Sequence, residues 1–81
     1  MQEADFHEVS DEFINFANDL SDDWAPAFIS AVILHAAARY NAHNYLSTDG
    51  SLSTEEAAIN YYCDQYKRML KESISQLRAE S

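Results

Sequence analysis

The chain has a single glycine, Gly50, a single proline, Pro26, and a single cysteine, Cys63. So little glycine and proline leaves few places where a helix must stop, and makes those places readable. One cysteine excludes an internal disulfide and every paired-cysteine zinc or redox site, and makes a reducing, cytoplasmic setting the simplest expectation. Basic residues are scarce. Five Lys and Arg stand against fourteen Asp and Glu, for a formal charge of −9. A surface of that sign repels phosphate, which argues against direct binding of nucleic acid or of an anionic membrane. No apolar run approaches the ~20 residues that cross a bilayer. Met1 to Asp5 carry neither a basic leader nor an apolar stretch, so no secretory signal is expected there.

What is present is apolar and periodic. Hydrophobic types make up 47% of 81 residues, enough for one core and one domain spanning residues 1–81. The acids crowd the beginning: Glu3, Asp5, Glu8, Asp11, Glu12, Asp19, Asp22 and Asp23 precede the first base, Arg39. The remainder is nearly neutral.

Between about residues 6 and 20, Phe6, Val9, Phe13, Phe16, Ala17 and Leu20 recur at three- and four-residue spacing, with Glu8, Asp11, Glu12, Asn15 and Asp19 on the other side. That pattern predicts an amphipathic helix with one buried stripe. Ser21, Asp22 and Asp23 break it, and Asp22 or Asp23 is placed to cap a second helix over 24–45, with Pro26 in the first turn where its missing N–H costs nothing. Phe28, Ile29, Val32, Ile33, Leu34, Tyr40 and the alanines 36, 37, 38 and 42 cover most of its circumference, which predicts a central helix covered nearly all round. A polar turn spans Leu46 to Leu52. Ser53-Thr54-Glu55-Glu56 then has the form of a capping box, Ser53 reaching the N–H of Glu56 and the Glu56 carboxylate reaching back. A third helix follows over 54–77, with Lys67, Arg68, Lys71 and Arg78 complementing the dipole at its C-terminal end.

The expected fold is therefore all-α, a long antiparallel hairpin of helices 2 and 3 with the shorter helix 1 packed across it. At ~1.5 Å per residue the third helix is roughly 36 Å long and the first about 22 Å, so the first cannot cover the hairpin. A homo-oligomer, most simply a two-fold dimer, would supply the missing cover. Tyr62, Tyr66, Met69 and Leu70 are the candidate interface residues, tyrosine suiting surfaces that are apolar with a polar rim.

Three stretches carry a resemblance. Asp11-Glu12-Phe13-Ile14-Asn15-Phe16-Ala17-Asn18, then Ala36-Ala37-Ala38-Arg39-Tyr40-Asn41-Ala42, then Tyr61-Tyr62-Cys63-Asp64-Gln65-Tyr66-Lys67-Arg68-Met69-Leu70 resemble, in order and spacing, the small bacterial proteins grouped as domain of unknown function 3144. The resemblance runs from about Phe6 to Leu70 and consists of helix-packing phrases. It implies an all-helical, cytoplasmic protein of proteobacteria with no established biochemical role, and it offers no catalytic residue to carry over.

The residues themselves show no catalytic signature either. His35, Arg39 and His43 share a side of helix 2, but the two imidazoles lie about 12 Å apart along the axis with a cation between them, so a metal site would need carboxylates from another helix, such as Asp64. No metal or other cofactor is expected. Cys63 reads as a small buried thiol, since a nucleophile needs a base beside it. Arg39, alone in an apolar stretch, needs an acceptor if buried, such as Glu12, Asp64 or a carboxylate of a second subunit. The leading reading is a non-enzymatic, self-associating protein-interaction module whose acidic first helix is free for a protein partner. Two alternatives stand beside it: a helical bundle binding a small ligand or anion through Arg39, Asn41 and Tyr40, and an acidic mimic of nucleic acid that uses the stripe Glu8, Asp11, Glu12, Asn15 and Asp19.

Overall fold

A computed structural model describes residues 3–48 and 54–81. Over these residues the chain forms three α-helices in the order α1 (Glu3–Leu20), α2 (Pro26–Thr48) and α3 (Glu55–Glu80), so the all-α class and the number of elements agree with the hydrophobic periodicity. By contact density the chain divides into two compact units, Met1–Ala38 and Arg39–Ser81. The first holds α1 and the beginning of α2, the second the end of α2 and α3.

The helix ends differ from the expectation, and the reasons are local. After Leu20 the backbone N–H groups of Ser21, Asp23 and Trp24 bond back to Ala17 and Leu20 at 3.1 Å, while the Ser21 hydroxyl donates to the Asn18 carbonyl at 2.6 Å. These bonds satisfy carbonyls that a helix C-terminus leaves without partners. Asp22 and Asp23 thus serve the end of α1 and do not cap α2. The capping position falls to Ala25, whose carbonyl accepts the first bond of α2 from Ile29 N–H at 3.1 Å, and Pro26 is the first helical residue. Before it, the indole of Trp24 stacks on Phe28, with ring centroids 5.0 Å apart at 27°.

At its far end α2 runs to Thr48, three residues beyond the expected stop. Ser47 and Thr48 donate from their hydroxyls to the carbonyls of His43 and Asn44, both at 2.7 Å, which carries the helix into what reads as a polar turn. The expected role of Ser53 lies outside the described residues. The N-cap of α3 is Thr54, in an extended conformation (φ −74°, ψ 153°), and its hydroxyl accepts from Ala57 N–H at 3.1 Å. With alanine at that third helical position the reciprocal carboxylate of a capping box is missing, so the cap is one-sided. Replacing Thr54 by Ala is therefore expected to lower unfolding stability by about 1 kcal/mol, read as a shifted urea midpoint with an unchanged slope. An unchanged midpoint would show that this cap contributes nothing.

Burial is where the helices depart most from expectation. Among the described residues one hydrophobic side chain is buried, Ile29 at 8% exposure. In the first unit Ala17 and Leu20 are half-buried, the last members of the α1 stripe, whereas Phe13 and Phe16 are 72% and 63% exposed. The α2 circumference expected to be covered is open: Val32, Ile33 and Leu34 are exposed, as are Ala36, Ala37, Ala38 and Ala42. An amphipathic pattern says that a face seeks cover, and only a second surface supplies it.

In the second unit the half-buried residues are Asn41 and Tyr45 on α2, one turn apart, and Ala58, Tyr62 and Gln65 on α3, at i, i+4 and i+7. The Asn44 amide donates to the Tyr62 hydroxyl at 3.4 Å across eighteen residues of sequence.

Candidate interaction surface

Two faces of α3 diverge in character. Successive residues turn by ~100° on a helix, so Ala58, Tyr62 and Gln65 lie within a narrow stripe. Ile59, Cys63, Tyr66, Leu70, Ser73 and Leu77 form a second line, roughly 95° round from the first. Every residue of this second line is exposed, from Leu70 at 44% to Leu77 at 66% among its large side chains. Beyond Gln65 no residue of α3 is even half-buried. The apolar line is thus the larger asset of the helix, and the chain leaves it open.

Cys63 stands on this open line. It is a free, exposed thiol, which corrects the expectation of a buried one. The misreading has a simple cause: apolar neighbours in sequence predict a covered face only when the fold provides the cover. Of the candidate interface residues, Tyr62 is half-buried and bonded to Asn44, while Tyr66, Met69 and Leu70 are exposed at 50%, 46% and 44%. Tyr61 lies across the helix from the apolar line. Its hydroxyl accepts from the Gln65 amide at 2.8 Å and its ring meets Tyr62 edge-on at 5.7 Å.

Arg39 is exposed, so its guanidinium is solvated and the burial that would make a carboxylate partner obligatory is absent. Tyr40 is 76% exposed and Asn41 half-buried. As consecutive helical residues the three fan over about 200° of α2. His35 and His43 are exposed. Among the described residues no group of three or more His, Cys, Asp or Glu side chains is placed to hold a metal ion, and no helix is long and apolar enough to cross a membrane.

Two shallow depressions mark the helix surfaces. One, of about 430 Å³, is lined by Asp64, Lys67, Arg68 and Lys71 of α3; the other, of about 240 Å³, by Glu12, Phe13 and Phe16 of α1. The first gathers three of the five basic residues on one side of one helix. Sequence reasoning assigned these bases to the helix dipole and missed their association with Asp64, although the i, i+3, i+4, i+7 spacing contains it.

The charges along α3 are also segregated. Glu55, Glu56 and Asp64 are the charged residues from its start to Tyr66, all acidic. From Lys67 onward four bases, Lys67, Arg68, Lys71 and Arg78, outnumber Glu72 and Glu80.

A family model described as protein of unknown function (DUF3144) matches residues 6–77, which takes in all the residues of the apolar line. No curated protein and no solved structure matches the chain.

Proposed function

Because this chain belongs to the DUF3144 family, which brings no assigned activity with it, we propose from its surface that it is a non-enzymatic module that self-associates, most simply as a two-fold dimer. The observation that carries this reading is the exposure of its large hydrophobic residues. Nineteen of them are open to solvent among the described residues, from Leu70 at 44% to Tyr40 at 76%, against one that is buried. Fully burying a single such side chain is worth about 1.5–3 kcal/mol. A lone core in a chain this small supplies only about 3–5 kcal/mol. Covering even a few of these residues in an assembly would match everything the isolated chain can bury.

In the proposed assembly α2 and α3 form an antiparallel hairpin, as the Asn44–Tyr62 hydrogen bond and the half-buried residues around it favour. The shorter α1 lies across that hairpin, and a second copy covers what α1 cannot. A reducing compartment such as the cytoplasm suits an exposed lone thiol, which oxidising conditions would convert to unwanted cross-links. Light scattering coupled to size-exclusion chromatography tests the reading directly. Twice the chain mass of 9.2 kDa is expected at micromolar concentrations, with dissociation on dilution. A strict monomer at several hundred micromolar would refute self-association.

A further inference from the structure

We propose that two copies exchange their first helices: the apolar stripe of α1 in each copy lies along the apolar line of α3 in the other, the two helices running parallel. The inference rests on the self-association reading and adds to it which faces meet, in which direction, and that they belong to different copies. On α1 the stripe is Phe6, Val9, Phe13, Phe16 and Leu20, at successive spacings of three, four, three and four residues. On α3, Cys63, Tyr66, Leu70, Ser73 and Leu77 repeat those spacings in the same order. Laid side by side and parallel, the two match level for level from Phe6 at Cys63 to Leu20 at Leu77. This is the alternation by which helices interlock side chains along a seam. Phe6, Val9, Phe13 and Phe16 are exposed, as are all five residues of the α3 line, so a single chain leaves both faces open.

The charges beside these faces select the pairing. Within about 100° of the α1 stripe, one flank carries Asp5, Glu12 and Asp19, whereas Ser10 and Ala17 on the other are uncharged. The overlap on α3 runs from Asn60 to Leu77. Within about 100° of its apolar line one flank holds Lys67, with Arg78 one residue further on, and no acid; Tyr62, Met69 and Gln76 on the other are neutral. Glu55, Glu56 and Glu80 lie outside the overlap, and Asp64, Arg68 and Lys71 lie farther round the helix. Because both helices are right-handed, the acidic flank of α1 and the basic flank of α3 fall on the same side of a parallel seam and on opposite sides of an antiparallel one. Glu12 is then within two residues of the level of Lys67, and Asp19 within two of Arg78, about 3 Å along the axis. Pairing like helices lacks this match. Two α3 lines, or two α1 stripes, set charges of one sign together when antiparallel and against neutral side chains when parallel. Charges flanking a seam set partner choice and orientation. Exchange about a two-fold axis makes the contact twice and closes the dimer.

The lone, exposed thiol of Cys63 makes the pairing measurable. It stands at the level of Phe6 of the other copy, within the reach that a disulfide needs. The full-length Phe6→Cys variant, oxidised at a concentration where light scattering reports the dimer, is expected to become a covalent dimer linked between positions 6 and 63, identified by peptide mass. The unaltered chain is expected to remain uncross-linked under the same oxidant. A 63–63 link in the unaltered chain, or a 6–6 link in the variant, would pair like helices and overturn the proposal. A 6–63 link closed within single chains would overturn the exchange. A dimer that forms no 6–63 link would remove these faces as the contact while leaving self-association standing. A monomer by light scattering would remove both.

Discussion

Replacing Leu70 by Asp is expected to raise the dimer dissociation constant by at least about 100-fold. Leu70 lies on the exposed apolar line of α3 and is 44% exposed, so an assembly that uses this line has part of it left to cover. Losing cover of the part still open costs about 1 kcal/mol, and two-fold symmetry counts that loss twice per dimer. About 2 kcal/mol corresponds to roughly a thirtyfold change in the dissociation constant. The introduced carboxylate adds a desolvation penalty in the same direction. Analytical ultracentrifugation across a dilution series would measure the shift. Tyr61→Ser is the matched control, because Tyr61 is 59% exposed on the opposite side of α3 and its removal is expected to leave the dimer intact. Equal effects from both substitutions would mean that helix stability, and not cover of the apolar line, had been measured.

The second large effect concerns Ile29. It is the one buried hydrophobic residue among those described, placed one turn into α2. Truncation of a buried Ile to Ala costs about 2–5 kcal/mol, which is comparable to the about 3–5 kcal/mol that a core of this size provides. The Ile29→Ala chain is therefore expected to lose most of its cooperative thermal transition in far-UV circular dichroism. Leu34, on the same helix but 55% exposed, supplies the contrast. At low concentration Leu34→Ala is expected to change the midpoint little. A cost for Leu34→Ala as large as for Ile29→Ala at every concentration would show that α2 is covered within a single chain.

Both experiments depend on a linkage that is itself visible. A protein whose apolar faces are covered by a second copy is stabilised by mass action, so its thermal midpoint rises with concentration.

How much of this was legible beforehand varies with the range of the interaction responsible. Helix identity was legible, because Phe6, Val9, Phe13 and Phe16, or Cys63, Tyr66, Leu70, Ile74 and Leu77, announce a 3.6-residue period within a few residues of chain. Pro26 at the first position of α2 was legible for the same reason: its fixed backbone angle is a local fact. The cap of α3 was legible only to within one residue. Ser53 and Thr54 carry the same chemistry, and the choice between them depends on where the backbone first turns helical, which side-chain type does not specify. The family match over residues 6–77 likewise agrees with the resemblance carried by the helix-packing phrases.

What the sequence determined by itself, then, is that this chain makes three helices, with an acidic surface on the first and an apolar line on the third. Only the tertiary structure decided which lines are covered: Ala58, Tyr62 and Gln65 partly, Ile59, Cys63, Tyr66 and Leu70 not at all. The physical reason is that periodicity is encoded between residues three and four apart, whereas cover comes from residues far away in sequence or on another chain. Hydrophobic attraction is non-directional, so two apolar lines on one helix look alike until something packs against one of them. Cys63 and Arg39 are both exposed, which three- and four-residue spacing could not have told.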